Sequence, residues 1–577
     1  MTPTPFCCTA GVREGAELSL ETTPEVTPTQ TTGRVPAQRV AEKDRGGHLR
    51  WIPIAVALAY ALVLPVRFVD DAWISYRYAA NVADGVGPVF NQGQRVEAIS
   101  NPLWTALLAV AYKLHLSLPL TAWVIGVACV LAVVWMTTAL VRRITGSELI
   151  GVVCGTALAL TTHFMRSSLN GLETCLYSAL LLAALSCLLS EHRRARLGFG
   201  LAVVGVALTR FEGHLLAAIL LAGLFALRRD GTRATLRRNI VTAAGVAASL
   251  LAVELARIAY YSELVPMTVI AKRDVGRSVK LQVGSMIRPF ATYMVQTFGR
   301  GGLVLLAGTA AVGVAVIAVG RRRLPVVYLA LCGVVVAFGV AVTFENKGDW
   351  MPAARLLAPY FPVLLVLVAS MLWAAFAFRR RQATIALVVW ALAWLALVPG
   401  TWSFNRDRAP KGYRFAAAFR HGAFANNADD VGRVLRRVYE PGDVFATAAI
   451  GHMGYYGRPA PMFDMLGLAE PAIARSPGKS TNGGKYDFAY TAGKRPSVII
   501  DVTPATVVAT AALAPDRYCG LLSPALTGQL LFVAVRCDLN DRIGAPLTAR
   551  FGGRSVGIKQ AERIWLKGHR FGDRFRG

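Results

Sequence analysis

Acidic residues are scarce in this 577-residue chain: 34 Asp and Glu stand against 62 Lys and Arg, and charged residues of both signs make up only 17% of it. Soluble domains carry about 25% charged residues, so the deficit argues against a water-soluble globule. Histidine is rare too, at 8 residues, and the nine cysteines include no C-x-x-C pair, which removes the usual zinc-site spacings. No G-x-x-x-x-G-K-[ST] loop is present, so nothing here cradles a nucleotide phosphate in that way. The net charge of +28 points first to nucleic acid. No basic run alternates with aromatics as a binding groove would, and no nucleic-acid partner is expected.

What the chain has in abundance is apolar length. It is 54% hydrophobic, with a mean hydropathy of +0.46, and the apolar residues fall in runs long enough to cross a bilayer. This is the pattern of an α-helical polytopic membrane protein, with membrane lipids as its surroundings. Arginine clusters then set its orientation: Arg142-Arg143; Arg193, Arg194 and Arg196; Arg228, Arg229, Arg233, Arg237 and Arg238; Arg321 to Arg323; and Arg379 to Arg381. Lys and Arg gather in cytoplasmic loops. With all five clusters inside, eleven spans alternate consistently, at about 51–68, 119–141, 149–166, 173–190, 197–210, 213–228, 239–260, 301–320, 325–343, 355–378 and 383–400. The run at 102–116 would break the alternation and reads as a helix at the outer surface.

Residues 1–49 are polar and rich in Thr and Pro, and read as a disordered cytoplasmic leader. No signal-peptide pattern is present ahead of the first run, which is expected to stay in the membrane. The membrane domain is thus expected over 50–401. Residues 402–577 turn to Pro, Gly and charge with short strand-like runs, SVIIDV and LLFVAV, and read as an extracytoplasmic domain of mixed α/β character. Cys519 and Cys537 both fall there, in an oxidising compartment where a disulfide forms readily. The remaining cysteines of the spans read as small buried hydrophobes.

The alternation gathers a second chemistry on the outer face. Asp70-Asp71 follow the first span directly, and Glu97 with Asn101, Glu173, Arg210 with Glu212, Glu263 with Lys272, and Asp349 with Arg355 lie in the outer loops. The positive-inside rule concerns Lys and Arg and leaves this gathering of acids unexplained. A polar cavity at the outer helix ends, enclosed by loop 69–118, explains it. A carboxylate at mid-bilayer depth costs about 2.5–3.5 kcal/mol, so acids at a membrane edge suggest a role. Neighbouring residues in a helix diverge by about 100°, so Asp70 and Asp71 cannot do the same job. One suits a reacting group; the other suits an Arg, a backbone amide or a cation, and a divalent ion such as Mg or Ca is compatible with the pair. Arg77 sits among Trp73, Tyr76 and Tyr78 and reads with them as substrate-binding. Blander roles compete: Asn101 precedes a Pro and suits a helix cap, Glu173 suits a first-turn acid, Arg210 and Glu212 suit each other, and Lys272 suits a snorkelling stem.

The stretch VDDAWISYRYAANVADGVGPVFNQGQRVEAISNPLW (69–104) resembles the first outer loop of GT-C glycosyltransferases similar to the mycobacterial terminal arabinofuranosyltransferases. NGLET, TRFEG, ELVPMTVIAK, KGDWMPAARLLAP, GHMGYYG and DMLGLAEPAIAR follow in the family's order, and the likeness runs over about 65–575. It implies a GT-C fold, a polyprenyl-phosphate sugar donor such as decaprenyl-phosphoryl-arabinofuranose, and an extracytoplasmic glycan acceptor such as the arabinan of arabinogalactan or lipoarabinomannan, at the plasma membrane. Asp70 and Asp71 match the family's essential aspartate pair. EAIS, TRFEG, VPMT and NKGDW depart from the family's usual EGYT, TRPEG, LPNT and GGDW, which leaves room for another sugar, mannose among them, on a protein or lipid. A polyprenyl-lipid transporter is the alternative from another class, though it would carry its charges nearer the midplane.

Overall fold

Eleven apolar runs alternating with charged loops demand helices, because a backbone inside lipid must satisfy its own hydrogen bonds. The computed structural model describes residues 48–557 apart from 66–67, 191, 193, 228–231, 273–278, 319–324, 350–353, 377–378, 399–427, 478–483, 502–503, 523–531 and 552–553. The predicted leader lies outside the described residues except for its last two positions, as do the junction expected near 401 and the Arg321–Arg323 cluster.

Each of the eleven predicted segments is helical. Among the described residues six helices are long and apolar enough to cross a membrane: Leu118–Thr145, Arg233–Tyr261, Gly284–Ala315, Val326–Glu345, Ala358–Ala375 and Arg380–Leu397. A seventh arises if Glu148–Leu160 and Thr162–Ser168, bent by 64°, count as one span. The remaining four, Leu49–Val63, Thr174–Leu189, Ala195–Thr209 and Gly213–Ala226, are apolar but shorter. In chain order the helices used below are α1 (Ile52–Val63), α2 (Asp70–Ala83), α3 (Pro102–Lys113), α4 (Leu118–Thr145), α5 (Glu148–Leu160), α6 (Thr162–Ser168), α7 (Thr174–Leu189), α8 (Ala195–Thr209), α9 (Gly213–Ala226), α10 (Arg233–Tyr261), α11 (Met267–Ala271), α12 (Val279–Ala318) and α13 (Val326–Glu345). The run expected at 301–320 is the second half of α12, which begins at Val279 and breaks at Gly299, whose φ is +68°. Its first half carries Arg288 and Pro289, so hydropathy alone hid it.

Helix α2 is the element that positions the site. Ten consecutive residues, Ala72 to Asn81, are buried, so this stretch is enclosed on every side. Tyr76 donates to Gly171 O at 3.2 Å on one side. On another, Arg77 lies buried and donates to three backbone carbonyls: Phe90 at 2.7 Å, Gly454 at 2.5 Å and Ala460 at 2.9 Å. These hydrogen bonds satisfy an otherwise costly buried charge. They also join α2 to the C-terminal segment.

That segment carries a six-stranded sheet in the order β2-β1-β3-β5-β4-β6. Strands β1 (Phe445–Thr447), β2 (Met462–Asp464) and β3 (Val498–Asp501) run parallel. Strands β5 (Phe532–Arg536), β4 (Tyr518–Leu522) and β6 (Arg554–Gly557) continue the sheet antiparallel. The runs SVIIDV and LLFVAV supply β3 and β5. One hydrophobic core holds Ile74 and Tyr78 of α2, Ile99, Met267 and Ala271 together with Phe445, Met462, Val498 and Val533 of the sheet. These loops and the sheet are thus one packed body.

Cys519 of β4 and Cys537, just past β5, are disulfide-bonded across a sequence separation of 18. Closing a loop of that size removes denatured-state entropy worth about 3 kcal/mol. Cys537→Ala should therefore lower unfolding stability by about that amount, read as a shifted denaturant midpoint of the purified chain in detergent, without loss of helical content.

Candidate functional site

Helix α2 starts with Asp70 and Asp71, acids in a first turn where the helix dipole favours them. Their carboxylates then part company, as their spacing requires. Asp70 points at the short helix α14 (Ile450–Tyr456), the GHMGYYG stretch. Gly451 N–H donates to its Oδ2 at 2.9 Å, His452 N–H to its Oδ1 at 2.9 Å, and His452 Nδ1 lies 3.2 Å from the same oxygen. A Cβ on Gly451 would lie 1.9 Å from the Asp70 carbonyl oxygen, so glycine alone permits this approach. Trp73 packs on His452, with ring centroids 4.4 Å apart.

Asp71 faces the opposite way, into a cavity of about 820 Å³ at the ends of the helices. Its side chain is 27% exposed, and its Oδ2 accepts from Arg355 Nη1 at 3.2 Å. Enclosure raises the Asp71 carboxyl above its ordinary 3.8; Arg355 and Lys272 pull it back down without cancelling the rise. Arg355 is held by Asp349, whose carboxylate is 1% exposed and takes Nε at 3.1 Å and Nη2 at 3.3 Å. Burial works against the guanidinium's charge, but Asp349, Asp71 and Glu173 outweigh it and keep Arg355 cationic.

Lys272 opens onto the same cavity from the end of α11. Enclosure lowers its ammonium below the usual lysine value, and Arg355 lowers it further, while Asp71 and Asp349 oppose both. Among the described residues no carboxylate forms an ion pair with Lys272. Arg210 contrasts with it: Nε reaches Glu173 at 2.9 Å, Nη1 reaches Glu212 at 3.4 Å, and Nη2 reaches Thr174 Oγ1 at 3.3 Å. Asn101 completes that group, donating to Glu173 at 2.8 Å and accepting from Ser75 at 3.1 Å. Asn101 makes no helix-capping hydrogen bond, and Glu173 stands at the N-cap of α7 rather than in its first turn.

Of the predicted residues, Asp71, Asn101, Glu173, Arg210, Glu212, Lys272 and Arg355 line one cavity. Five do not. Asp70 is turned to α14, and Arg77 is consumed by carbonyls. Asp349 stands behind Arg355, Glu97 is taken by Arg257 at 2.7 Å, and Glu263 pairs with Arg475 at the surface. Sequence reading passed over Ser75, Phe211, His214, Thr268, Lys347 and Leu468 of the lining. It also missed the hold of Gly451 and His452 on Asp70, which the quoted GHMGYYG motif offered as its only signal. Among the described residues no group of three or more His, Cys, Asp or Glu side chains could hold a metal ion. The Asp70-Asp71 pair does not form one, since one carboxylate is taken by amides and the other faces cations.

Comparison with known proteins bears on this geometry in three ways. Residues 411–533 match a family model described as "Domain of unknown function (DUF8728)". Over 246 residues the chain is 30% identical to the "Terminal beta-(1->2)-arabinofuranosyltransferase" of Mycobacterium tuberculosis, a match that spans 39% of this chain and 38% of that protein. In structure it is similar to ArnT from Cupriavidus metallidurans in the apo state, with TM-score 0.50, 14% identity, and coverage of 84% of this chain and 97% of that one. The same protein bound to undecaprenyl phosphate matches equally, at TM-score 0.50 and 14% identity over 85% and 98% of the two chains. The chain has the GT-C fold.

Proposed function

We propose that this chain is a membrane glycosyltransferase that takes arabinofuranose from a polyprenyl phosphate, decaprenyl-phosphoryl-arabinofuranose, and transfers it to the arabinan of a cell-envelope glycan. The observation that carries the reading is the cavity in which Asp71 faces Arg355 and Lys272. A lipid-phosphate sugar needs cations for its phosphate, a carboxylate at the reacting carbon, and both at membrane-edge depth. Lys272 and Arg355 serve the phosphate, Lys272 because no carboxylate among the described residues forms an ion pair with it. Asp71 serves the sugar. The partial likeness to a mycobacterial arabinofuranosyltransferase supports the choice of sugar.

The side of the membrane follows from charge. Helix α8 starts beside Arg194 and Arg196 and ends at Arg210 of the cavity; α10 starts at Arg233 and ends near the cavity wall. The clustered arginines and the cavity occupy opposite helix ends, which supports an extracytoplasmic site.

In the reaction, the acceptor hydroxyl oxygen bonds to the anomeric carbon as the bond from that carbon to the phosphate oxygen breaks. The lipid keeps the electron pair as its phosphate, held by Lys272 and Arg355. Asp71 takes the hydroxyl proton and its negative charge stabilises the oxocarbenium-like centre. A carboxyl raised toward the working pH is the better base.

This has a pH consequence. Asp71 must be ionised to act, so transfer should fall as pH drops through its raised value, with the acid limb above the ordinary 3.8. Arg355 lowers that value, so Arg355→Gln should move the limb to higher pH. Rate profiles of the two proteins at saturating donor check the direction. For the function itself, the test is mass spectrometry of envelope glycans from a deletion strain. Loss of a terminal arabinofuranose is expected; an unchanged glycan profile contradicts the reading.

A further inference from the structure

Helix α10 reads in the sequence as an ordinary span, and most of it meets no protein: Thr235, Asn239 and Val246 are its buried residues. Its last two turns differ. Arg257 is 9% exposed in its side chain, and its guanidinium holds three acceptors, one on its own helix and two on other segments. Nη1 donates to Glu97 at 2.7 Å, Nε to Glu254 at 2.7 Å, and Nη2 to the carbonyl of Leu264 at 2.6 Å. Glu254 passes the connection on, its Oε1 lying 3.1 Å from His214 Nε2. Glu97 passes it on too, since its carbonyl accepts from Met267 N–H at 2.9 Å.

Every one of these partners abuts a cavity wall. Glu97 precedes the wall that ends in Asn101, His214 is itself lining, and Leu264 and Met267 bracket the start of the segment that ends in Lys272. A guanidinium presents its donors in a rigid planar fork, so it fixes directions as well as distances. A lysine's donors sit on one nitrogen without a fixed fork, so it would hold these three acceptors less rigidly.

We infer that Arg257 is a positioning residue that sets the spacing of the cavity walls and, through segment 264–272, the place of Lys272. The inference rests on the reading of the cavity as a lipid-phosphate site and deepens it. Arg257 touches no substrate. It acts through Lys272 by holding the backbone of the segment that carries it, so that less ordering remains to be done when the phosphate binds.

The test is a thermodynamic cycle on binding of undecaprenyl phosphate, titrated into the purified full chain in nanodiscs. Lys272→Gln should weaken binding about tenfold, as loss of a charge-assisted hydrogen bond commonly does. Arg257→Gln should weaken it by a similar factor, and the double variant should bind no worse than Lys272→Gln alone, because groups acting as one unit are not additive. Arg257→Lys should fall between wild type and Arg257→Gln. Independent losses that multiply in the double variant, or an Arg257→Gln protein that binds like wild type, overturn the inference. If Lys272→Gln itself binds like wild type, the phosphate reading of the cavity fails first, and Arg257 with it. Should Arg257→Gln not fold, Glu97→Gln weakens the same clamp from its other side while keeping the size of the group. The same non-additivity with Lys272→Gln is expected of it, and multiplied losses overturn the inference equally.

Discussion

Asp71→Asn should reduce sugar transfer by about 10²–10³-fold, the usual worth of one positioned charge in a shielded site. The fold should not suffer. Asp71 is a partly exposed carboxylate raised by enclosure, so its charge costs the folded state something to keep. Arg355 loses one partner but retains the two-pronged grip of Asp349, so no buried charge is stranded. Asparagine keeps the size of the group and a hydrogen-bond acceptor for Arg355. Thermal stability of the purified variant should therefore equal or exceed that of the wild type while turnover collapses. A variant with a third or more of wild-type turnover would make Asp71 a structural residue.

The same substitution one residue earlier should fail for the opposite reason. Asp70 accepts from Gly451 and His452 amides with both oxygens, so Asp70→Asn must turn an NH₂ toward one donor. An unsatisfied donor in such a place costs about 1–3 kcal/mol. The start of α2 then shifts, and Asp71 shifts with it. Activity and thermal stability should fall together. Gly451→Ala should reproduce both losses, since its new methyl would stand 1.9 Å from the Asp70 carbonyl oxygen. Gly493→Ala, with nothing within 4 Å of the added methyl, is the matched control and should change neither. Equal thermal stability of wild type and Asp70→Asn would contradict the division of labour between the aspartates.

That division was legible in part. Adjacent residues on a helix cannot share a direction, and the sequence expectation of one reacting and one held carboxylate follows from geometry alone. Which residue took which role was not legible, because the partners of Asp70 stand 381 and 382 positions away. Local spacing sufficed where the partner was near: Arg210 and Glu212, two positions apart, suit each other in the sequence and do pair. The membrane helices were readable because lipid imposes long apolar runs. That same rule hid Arg257 and Glu254, which lie inside the run expected at 239–260 and were absorbed into it as span. Arg77 misled for a related reason. An arginine among aromatics suits a substrate, but here folding turned it toward three backbone carbonyls that no sequence pattern marks.

The most direct test of the central claim is transfer of labelled arabinofuranose by the purified chain in proteoliposomes, from synthetic decaprenyl-phosphoryl-arabinofuranose to a short arabinan acceptor. Wild-type protein should release decaprenyl phosphate and lengthen the acceptor by one residue, and Asp71→Asn should do neither at more than about a hundredth of that rate. Acceptor extension by Asp71→Asn at the wild-type rate, or no extension by folded wild-type protein, would contradict the account.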